Sequence, residues 1–406
     1  MINFQEAINL IKENINRITP EETVPLALCS NRVLSQDIVS NEDLPLFDNS
    51  SMDGFAIRAE DVTEASVEWP KELQVIGESS AGKNFEGLVN INQSVRIMTG
   101  AKIPEGSNAV VEVESTSESD GIVSIRRSVQ YGEMIRKKGE NIHSGDISIP
   151  KGKLITSSDV GVLASLGINN VPVRTKPIIG ILSSGNELIE PYKIPLENQI
   201  RNSSASAIYT AINESGGEPI DIGIAKDNKI DLLDKFEIGL RYDILITTGG
   251  VSMGKYDLLP EVLKEMGVEV LFYKVNIKPG KPIMFGTYKE PNAETCYVFS
   301  LPGNPVSSLV TYKLFVLPAI KLLLGDNSNQ IKIKAILLHD INKNDNKKYF
   351  IRGIICNNED GELTVRSTGT QSSGALISMS LANCLIVFDE ESTGGKIGEK
   401  VNVIML

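Results

Sequence analysis

The stretch from Pro177 to Gly325 constrains this chain more than any other. It repeats one alternation, in which a short apolar run ends in small or polar residues and an amphipathic segment follows. The runs are "PIIGILSSG", "PIDIGIAKD", "YDILITTGG", "VEVLFYKVNIKPG" and "CYVFSLPGNP". Between them lie "SASAIYTAINESGG", "DLLDKFEIGLR" and "DLLPEVLKEMG", and the last run leads into a long helical pattern ending near Gly325. Strands that are apolar throughout must be covered on both faces, and crossover helices supply that cover when the strands are parallel. The pattern predicts an α/β domain with a mainly parallel sheet over residues 176–327. Ligands of such sheets sit beyond the carboxyl ends of the strands, so the chemistry is to be sought at that edge.

The flanks read differently. Phe4, Ala7/Ile8, Ile11 and Ile15 recur at helical spacing, which predicts an amphipathic helix at the start. From about residue 65 to 150 the runs "ELQVIGE", "QSVRIMTG", "NAVVEVE" and "GIVSIRR" predict short strands. "LPLFDNSSMDGFAI" (44–57) reads as too polar for a strand and too apolar for disorder. "SSDVGVLASLGI" reads as a helix ending at Gly167. Past the α/β stretch, "NNEDGELTV", "CLIVFDEE" and "KVNVIML" suggest a small β-barrel. The expected organisation is four-part: 1–45 with 140–175 as a helical and linker domain, 46–139 as a β-rich insertion, 176–327 as the α/β domain, and 328–406 as the barrel.

Five polar groups follow the strands of the α/β stretch. They are Ser183–Glu187, Asp227, the loop Gly249–Asp257, Lys274 with Lys278–Lys281, and Leu301–Pro305. Any one of them is more simply a helix cap or a turn. Together, with three lysines within eight positions, they describe a basic pocket. Gly249 and Gly250 would let main-chain N–H groups approach an anion, and Ser252 would add a hydroxyl. Lys278 and Lys281 suit a compact anion as point charges. Glu187, Asp227 and Asp257 would hold Mg²⁺ against a phosphate or orient water. The loop itself, "GGVSMGKYD", matches a nucleotide-binding P-loop from Gly249 to Lys255, but Tyr256 stands where a Ser or Thr hydroxyl is required. It therefore reads as a phosphate-cradling turn of another kind.

The net charge of −12 argues against nucleic-acid binding, which needs a basic face. Four scattered cysteines and two histidines, His143 and His339, leave no zinc spacing, and both histidines read as surface residues. The apolar "SLVTYKLFVLPAIKLLLG" is interrupted by Lys313, Pro318 and Lys321 and does not read as a membrane span. The expectation is a cytoplasmic protein that binds neither nucleic acid nor membrane.

Seven segments, "FDNSSMDGFAI", "MTGAKIPEG…AVVEVE", "RKKGENI", "SSGNEL", "TTGGVSMGKYD", "KVNIKPGKP" and "LPGNPVSS", occur in an order that resembles the molybdopterin molybdenumtransferases. Bacterial MoeA and the E domain of animal gephyrin belong to that family, and the resemblance runs through essentially the whole chain. It implies insertion of molybdate into adenylylated molybdopterin, with Mg²⁺ and release of AMP. It also implies a homodimer whose cleft joins the β-rich domain of one chain to the third and fourth domains of the other. The molybdopterin adenylyltransferase is a possible partner.

By matching motif, Asp53, Thr99, Glu187, Asp227 and Asp257 fall on the family's functional acidic and polar positions, Asp227 and Asp257 being the metal pair. Gly249, Gly250, Ser252, Lys274, Pro302, Gly303 and Pro305 fall on the molybdopterin and AMP side. Lys278, Lys281, Ser252, Arg352 and a serine of "GTQSSGAL", Ser372 or Ser373, match the molybdate side. Asn141 stands where the family often has Asp, Phe55 where Tyr is commoner, and Lys137–Lys138 where arginines occur. Tungstate in place of molybdate, and a non-enzymatic molybdopterin-binding scaffold, are the alternative readings.

Overall fold

The computed structural model describes residues 1–16, 18–250, 258–291, 293–328 and 333–406. They form two compact units, one of Met1–Gln36, Gly152–Ser157 and Asn170–Leu406, the other of Asp37–Lys151 and Ser158–Asn169. The opening helix Phe4–Asn14 belongs with the α/β segments, because Ala7, Ile11 and Ile15 are buried in the same cluster as Phe315 and Ile320. Its start is fixed by a capping box, in which Glu6 N–H donates to Asn3 and Asn3 N–H donates to Glu6.

In the larger unit a six-stranded sheet runs in the order Glu218–Ala225, Ile178–Ser184, Ile244–Thr248, Cys296–Leu301, Met284–Tyr288, Glu269–Tyr273. The first four strands are parallel, as the apolar runs predict. The last two pairings are antiparallel, since Met284–Tyr288 returns to Cys296–Leu301 without a crossover helix. Both faces are covered. Ile244 and Ile246 enter one cluster with Phe299 and Phe315, while Leu245 enters another with Phe236 and Val262. Each such large side chain contributes about 1.5–3 kcal/mol by leaving water.

The helix Ser203–Glu214 is capped by Asn202, whose side chain accepts Ala205 N–H, and it stops before Gly216 at φ 82°. The long helical stretch Pro305–Leu324 is interrupted by a π turn at Tyr312–Val316 and ends at Gly325 in the left-handed region. By length and composition alone it could cross a membrane, yet most of it is buried inside the fold.

The C-terminal strands close on themselves. Lys348–Asn357 pairs with Leu363–Ser367 and with Cys384–Phe388. Lys400–Met405 and Ile333–Leu337 complete the five-stranded ring. The two-residue strand Ile277–Lys278 adds in parallel to Lys348–Tyr349. It thereby joins the basic segment after the α/β sheet to the barrel.

The smaller unit is built on a six-stranded sheet in the order Ala109–Glu112, Gly54–Ile57, Gln93–Ile97, Lys71–Ser79, Ile122–Ile125, Thr116–Ser119. Gly54–Ile57 corrects the reading of its segment as non-strand. All four residues are buried between two neighbours, and only the preceding "FDNSSMD" is polar. Gly54 is required there, because a Cβ would fall 1.9 Å from the Val111 carbonyl oxygen.

Candidate functional site

The carboxyl ends of the sheet in the larger unit hold two adjoining cavities. Pro282, Pro302 and Asn304 line both.

The smaller, of about 380 Å³, is walled by the ends of three parallel strands and by two helix starts. Ser184, Thr248 and Gly249 come from strand ends, Ser203 and Ser204 from the capped helix start, and Gly303 from the turn after Cys296–Leu301. A buried hydroxyl network fixes this floor. Ser183 Oγ lies 2.9 Å from Thr248 Oγ1 and accepts Asn202 Nδ2–H at 2.9 Å. Ser204 Oγ donates to the Gly303 carbonyl at 3.2 Å, and Ser308 Oγ donates to that of Pro302. Gly249 has φ 89°, and a Cβ there would sit 2.6 Å from the Ser184 carbonyl oxygen. Its N–H already donates to Leu301 O at 3.3 Å, because the parallel ladder runs on one residue past the strand. Of the two amides expected to cradle an anion, that of Gly249 is thus engaged. Helix starts carry partial positive charge without any lysine. Glu187 also lines this cavity, its carboxylate folded back over Gly185.

The larger cavity, of about 850 Å³, lies between the Ile277–Pro282 segment and the barrel. Its charge comes from side chains. Lys278 Nζ donates to Tyr349 Oη at 3.1 Å, and neither Lys278 nor Lys281 has a carboxylate partner among the described residues. Other charges at the rim are already balanced, Asp345 by Lys347 and Asp340 by Lys396. The N–H of Ile397 holds the Asp340 carboxyl below its ordinary range, with Lys396 adding to the effect. Gln371 and Ser373 close one wall. Gly280, at φ 93°, keeps this segment close to the long helix, since a Cβ would meet Thr311 at 2.3 Å.

Not every expected residue reaches a cavity. Arg352 does not line the larger one; it is 0% exposed. Its Nε donates to Ser378 Oγ, and its Nη2 to the carbonyls of Thr370 and Ser372, so it braces the loop that presents Ser373. Its Nη1 is buried with no partner among the described residues, and burial lowers its pKa. Lys274 lines neither cavity; it sits at φ 71°, with its ammonium 5.4 Å from the Tyr273 ring. Asp227 is exposed and accepts Asn186 N–H at 3.1 Å, and it too lines neither. Ser252 and Asp257, with the rest of the loop to Asp257, lie outside the described residues.

In the smaller unit Asp53 accepts both Thr99 N–H, at 2.7 Å, and Thr99 Oγ1–H, at 2.8 Å. These two bonds, the amide's first, lower the Asp53 pKa. Lys137 and Lys138, which stand where the family has arginines, are held by Asp48 and Asp43.

Sequence reasoning missed other residues. His339 is no ordinary surface histidine; it lines the larger cavity and its Nε2 lies 3.1 Å from Ser367 Oγ. Tyr349 and Gln371 also line it, while Asn202 and Ser204 line the smaller one. The cap pattern "RNSSAS" was the one available signal for Asn202.

Comparison with known proteins agrees with this layout. Residues 2–167 match the MoeA N-terminal region (domain I and II), 180–322 a probable molybdopterin binding domain, and 334–406 the MoeA C-terminal region (domain IV). A molybdopterin molybdenumtransferase of Staphylococcus aureus (strain Mu50) is 37% identical over 407 residues, covering 97% of this chain and 95% of its own. That of Bacillus subtilis (strain 168) is 37% identical over 396 residues, covering 95% and 90%. The crystal structure of a molybdopterin biosynthesis moeA protein from Pyrococcus horikoshii OT3 superposes with a TM-score of 0.83 at 32% identity, over 100% of both chains. The chain belongs to the MoeA family of molybdopterin molybdenumtransferases.

Proposed function

We propose that this chain inserts molybdate into adenylylated molybdopterin with release of AMP, completing a molybdenum cofactor. The observation that carries the reading is the pair of adjoining cavities with opposite means of holding negative charge. Lysines without carboxylate partners among the described residues favour a small, fully charged oxyanion in the larger one. Glycine turns and a capped helix start favour phosphate groups in the smaller. A substrate spanning Pro302 and Asn304 would bring its phosphoanhydride and the oxyanion together. That juxtaposition replaces a bimolecular encounter by a positioned one.

Mg²⁺ belongs to this reading. Among the described residues no group of three His, Cys, Asp or Glu could hold a metal alone. Mg²⁺ is commonly held by one or two carboxylates together with substrate phosphates, and the exposed Asp227 fits such a shared site. Asp227 and Asp257 would hold the ion, which when bound would offset charge on the phosphoanhydride. Asp53, Thr99 and Glu187 would orient reacting groups. The acting form would be a cytoplasmic homodimer, supplied by the molybdopterin adenylyltransferase.

The test is incubation with adenylylated molybdopterin, Mg²⁺ and molybdate while AMP is followed. Molybdate-dependent AMP release is expected. Its absence would overturn the proposal, and metal analysis of the product formed when molybdate and tungstate are offered together would reveal tungstate preference.

A further inference from the structure

We propose that Tyr349 is a positioning residue of the oxyanion pocket, aiming the ammonium of Lys278 by its hydroxyl while a buried cation, Lys343, pins its ring. The inference rests on the functional reading above and assigns a part to two residues that no motif singled out.

It begins with register. The short parallel pairing of Ile277–Lys278 with Lys348–Tyr349 sets Lys278 and Tyr349 side by side. Tyr349 is 7% exposed, and its ring sits in the barrel cluster with Ile351 and Phe388. Its hydroxyl nevertheless meets the larger cavity, where it accepts one Lys278 N–H at 3.1 Å; the ammonium stands 4.8 Å from the ring centroid. An ammonium has three protons. One is committed to Tyr349, so the other two are left with a defined direction instead of sweeping freely about a four-carbon stem.

Lys343 is the second observation. It is 6% exposed, yet its partners among the described residues are backbone carbonyls, not carboxylates. Its Nζ donates to the oxygens of Asp389, Glu390 and Ser392, which uses all three protons. The same Nζ lies 5.5 Å from the Tyr349 ring. A cation whose protons are all spent locally is fixed, and its attraction for the ring restrains the phenol. One aromatic side chain is thus shared by a fixed cation and a ligand-facing one. The Tyr349 hydroxyl can still donate its own proton. Asp345, at the same cavity, is held below the usual carboxylate range chiefly by Lys347 and, to a lesser degree, by this hydroxyl.

The test uses the full-length protein, with molybdate as the probe. Equilibrium dialysis of molybdate and steady-state AMP release are measured for wild type, Tyr349→Phe, Lys278→Ala and the double variant. Tyr349→Phe keeps the ring and deletes only the hydroxyl. It is expected to weaken molybdate binding and raise its KM by about tenfold, with kcat within about twofold and melting temperature unchanged. In the double variant the hydroxyl's loss should add nothing to that of Lys278, since it acts only through that residue. Lys343→Met should reproduce the KM effect, and circular dichroism on that variant checks folding.

Unchanged molybdate binding in Tyr349→Phe would overturn the inference, as would full additivity with Lys278→Ala. If Lys278→Ala still weakens binding in either case, the functional reading stands alone. If wild-type protein binds no molybdate, the functional reading itself falls and the positioning role falls with it.

Discussion

The two cavities at one sheet edge solve the same problem by different chemistry. The smaller is made of what the backbone provides: a glycine turn, strand ends and a capped helix start, all held by buried hydroxyls. The larger is made of what side chains provide, namely Lys278 and Lys281, with Arg352 bracing the loop behind one wall. Backbone dipoles are fixed when the fold forms and tolerate little change of shape. Lysines are mobile point charges that need orienting, which neighbouring residues must supply. The difference teaches where each cavity is vulnerable: the smaller to a change of backbone geometry, the larger to a loss of charge.

The severest break should come from Gly249→Val. At φ 89° a β-branched residue is strained, and its Cβ would collide with the Ser184 carbonyl. The turn is expected to lose about 2–4 kcal/mol and to deform, since left-handed strain alone costs about 1–3 kcal/mol. Affinity for adenylylated molybdopterin should fall roughly 100-fold or more, about 2.7 kcal/mol. Direct binding of molybdate, measured by dialysis, should stay within a few-fold. Retained affinity for the pterin nucleotide would show that the smaller cavity does not bind through this turn.

Next in size is the converse, Lys278→Ala with Lys281→Ala. Charge-assisted bonds are worth about 1.5–3 kcal/mol each. Each variant should therefore raise the molybdate KM roughly 10- to 100-fold while leaving pterin-nucleotide binding nearly unchanged. An unaltered molybdate dependence in both would remove these lysines from the oxyanion site and erase the contrast between the cavities.

Asp227 offers a smaller effect that sharpens the comparison from the metal side. Asp227→Asn should reduce AMP release by about tenfold and raise the Mg²⁺ concentration needed, because Mg²⁺ prefers carboxylate oxygen. Its melting temperature should barely move, since the side chain is exposed and makes one bond to Asn186 N–H. Unfolding on this change would mark the carboxylate as structural.

What the sequence showed and what it hid divide along the same physical line. The parallel strands were legible because each is apolar throughout, and the helix after the first of them because "SASAIYTAINESGG" is amphipathic and stops at a glycine pair. The closed barrel was foreseen only as a class, since its ring depends on Lys348–Asn357 pairing on both edges. Gly249 and Lys278 could be picked out by residue type and place. Tyr349 could not, because its pairing with Lys278 joins residues 71 positions apart and leaves no local periodicity. Arg352 was picked out by the family resemblance, but its complete burial follows from Ser378 and the Thr370 and Ser372 carbonyls, which only the folded chain brings to it. His339 was passed over for the same reason. Local pattern reveals elements and turns; it does not reveal which turns meet.

The smallest effect tests the floor of the smaller cavity. Ser183 and Thr248 are register partners on adjacent parallel strands, and both are buried. Their hydroxyls meet, and Asn202 Nδ2 donates to Ser183 Oγ while Asn202 Oδ1 caps the helix by accepting Ala205 N–H. Ser183→Ala removes the shared oxygen and leaves the Asn202 amide without that bond, which should cost about 1–3 kcal/mol of stability. Thr248→Val removes the other hydroxyl but spares the Asn202 bond, and should cost less, about 1 kcal/mol. Because the Ser183–Thr248 contact is lost in either variant, the double variant should destabilise by less than the sum, the expected signature of coupled neighbours. Binding of the pterin nucleotide should weaken only a few-fold in Ser183→Ala, through a less rigid helix start, and the molybdate KM should not change. Strict additivity in denaturant titrations would mean that the hydroxyls do not act as one network. A molybdate effect as large as the pterin effect would mean that the two cavities are energetically a single site.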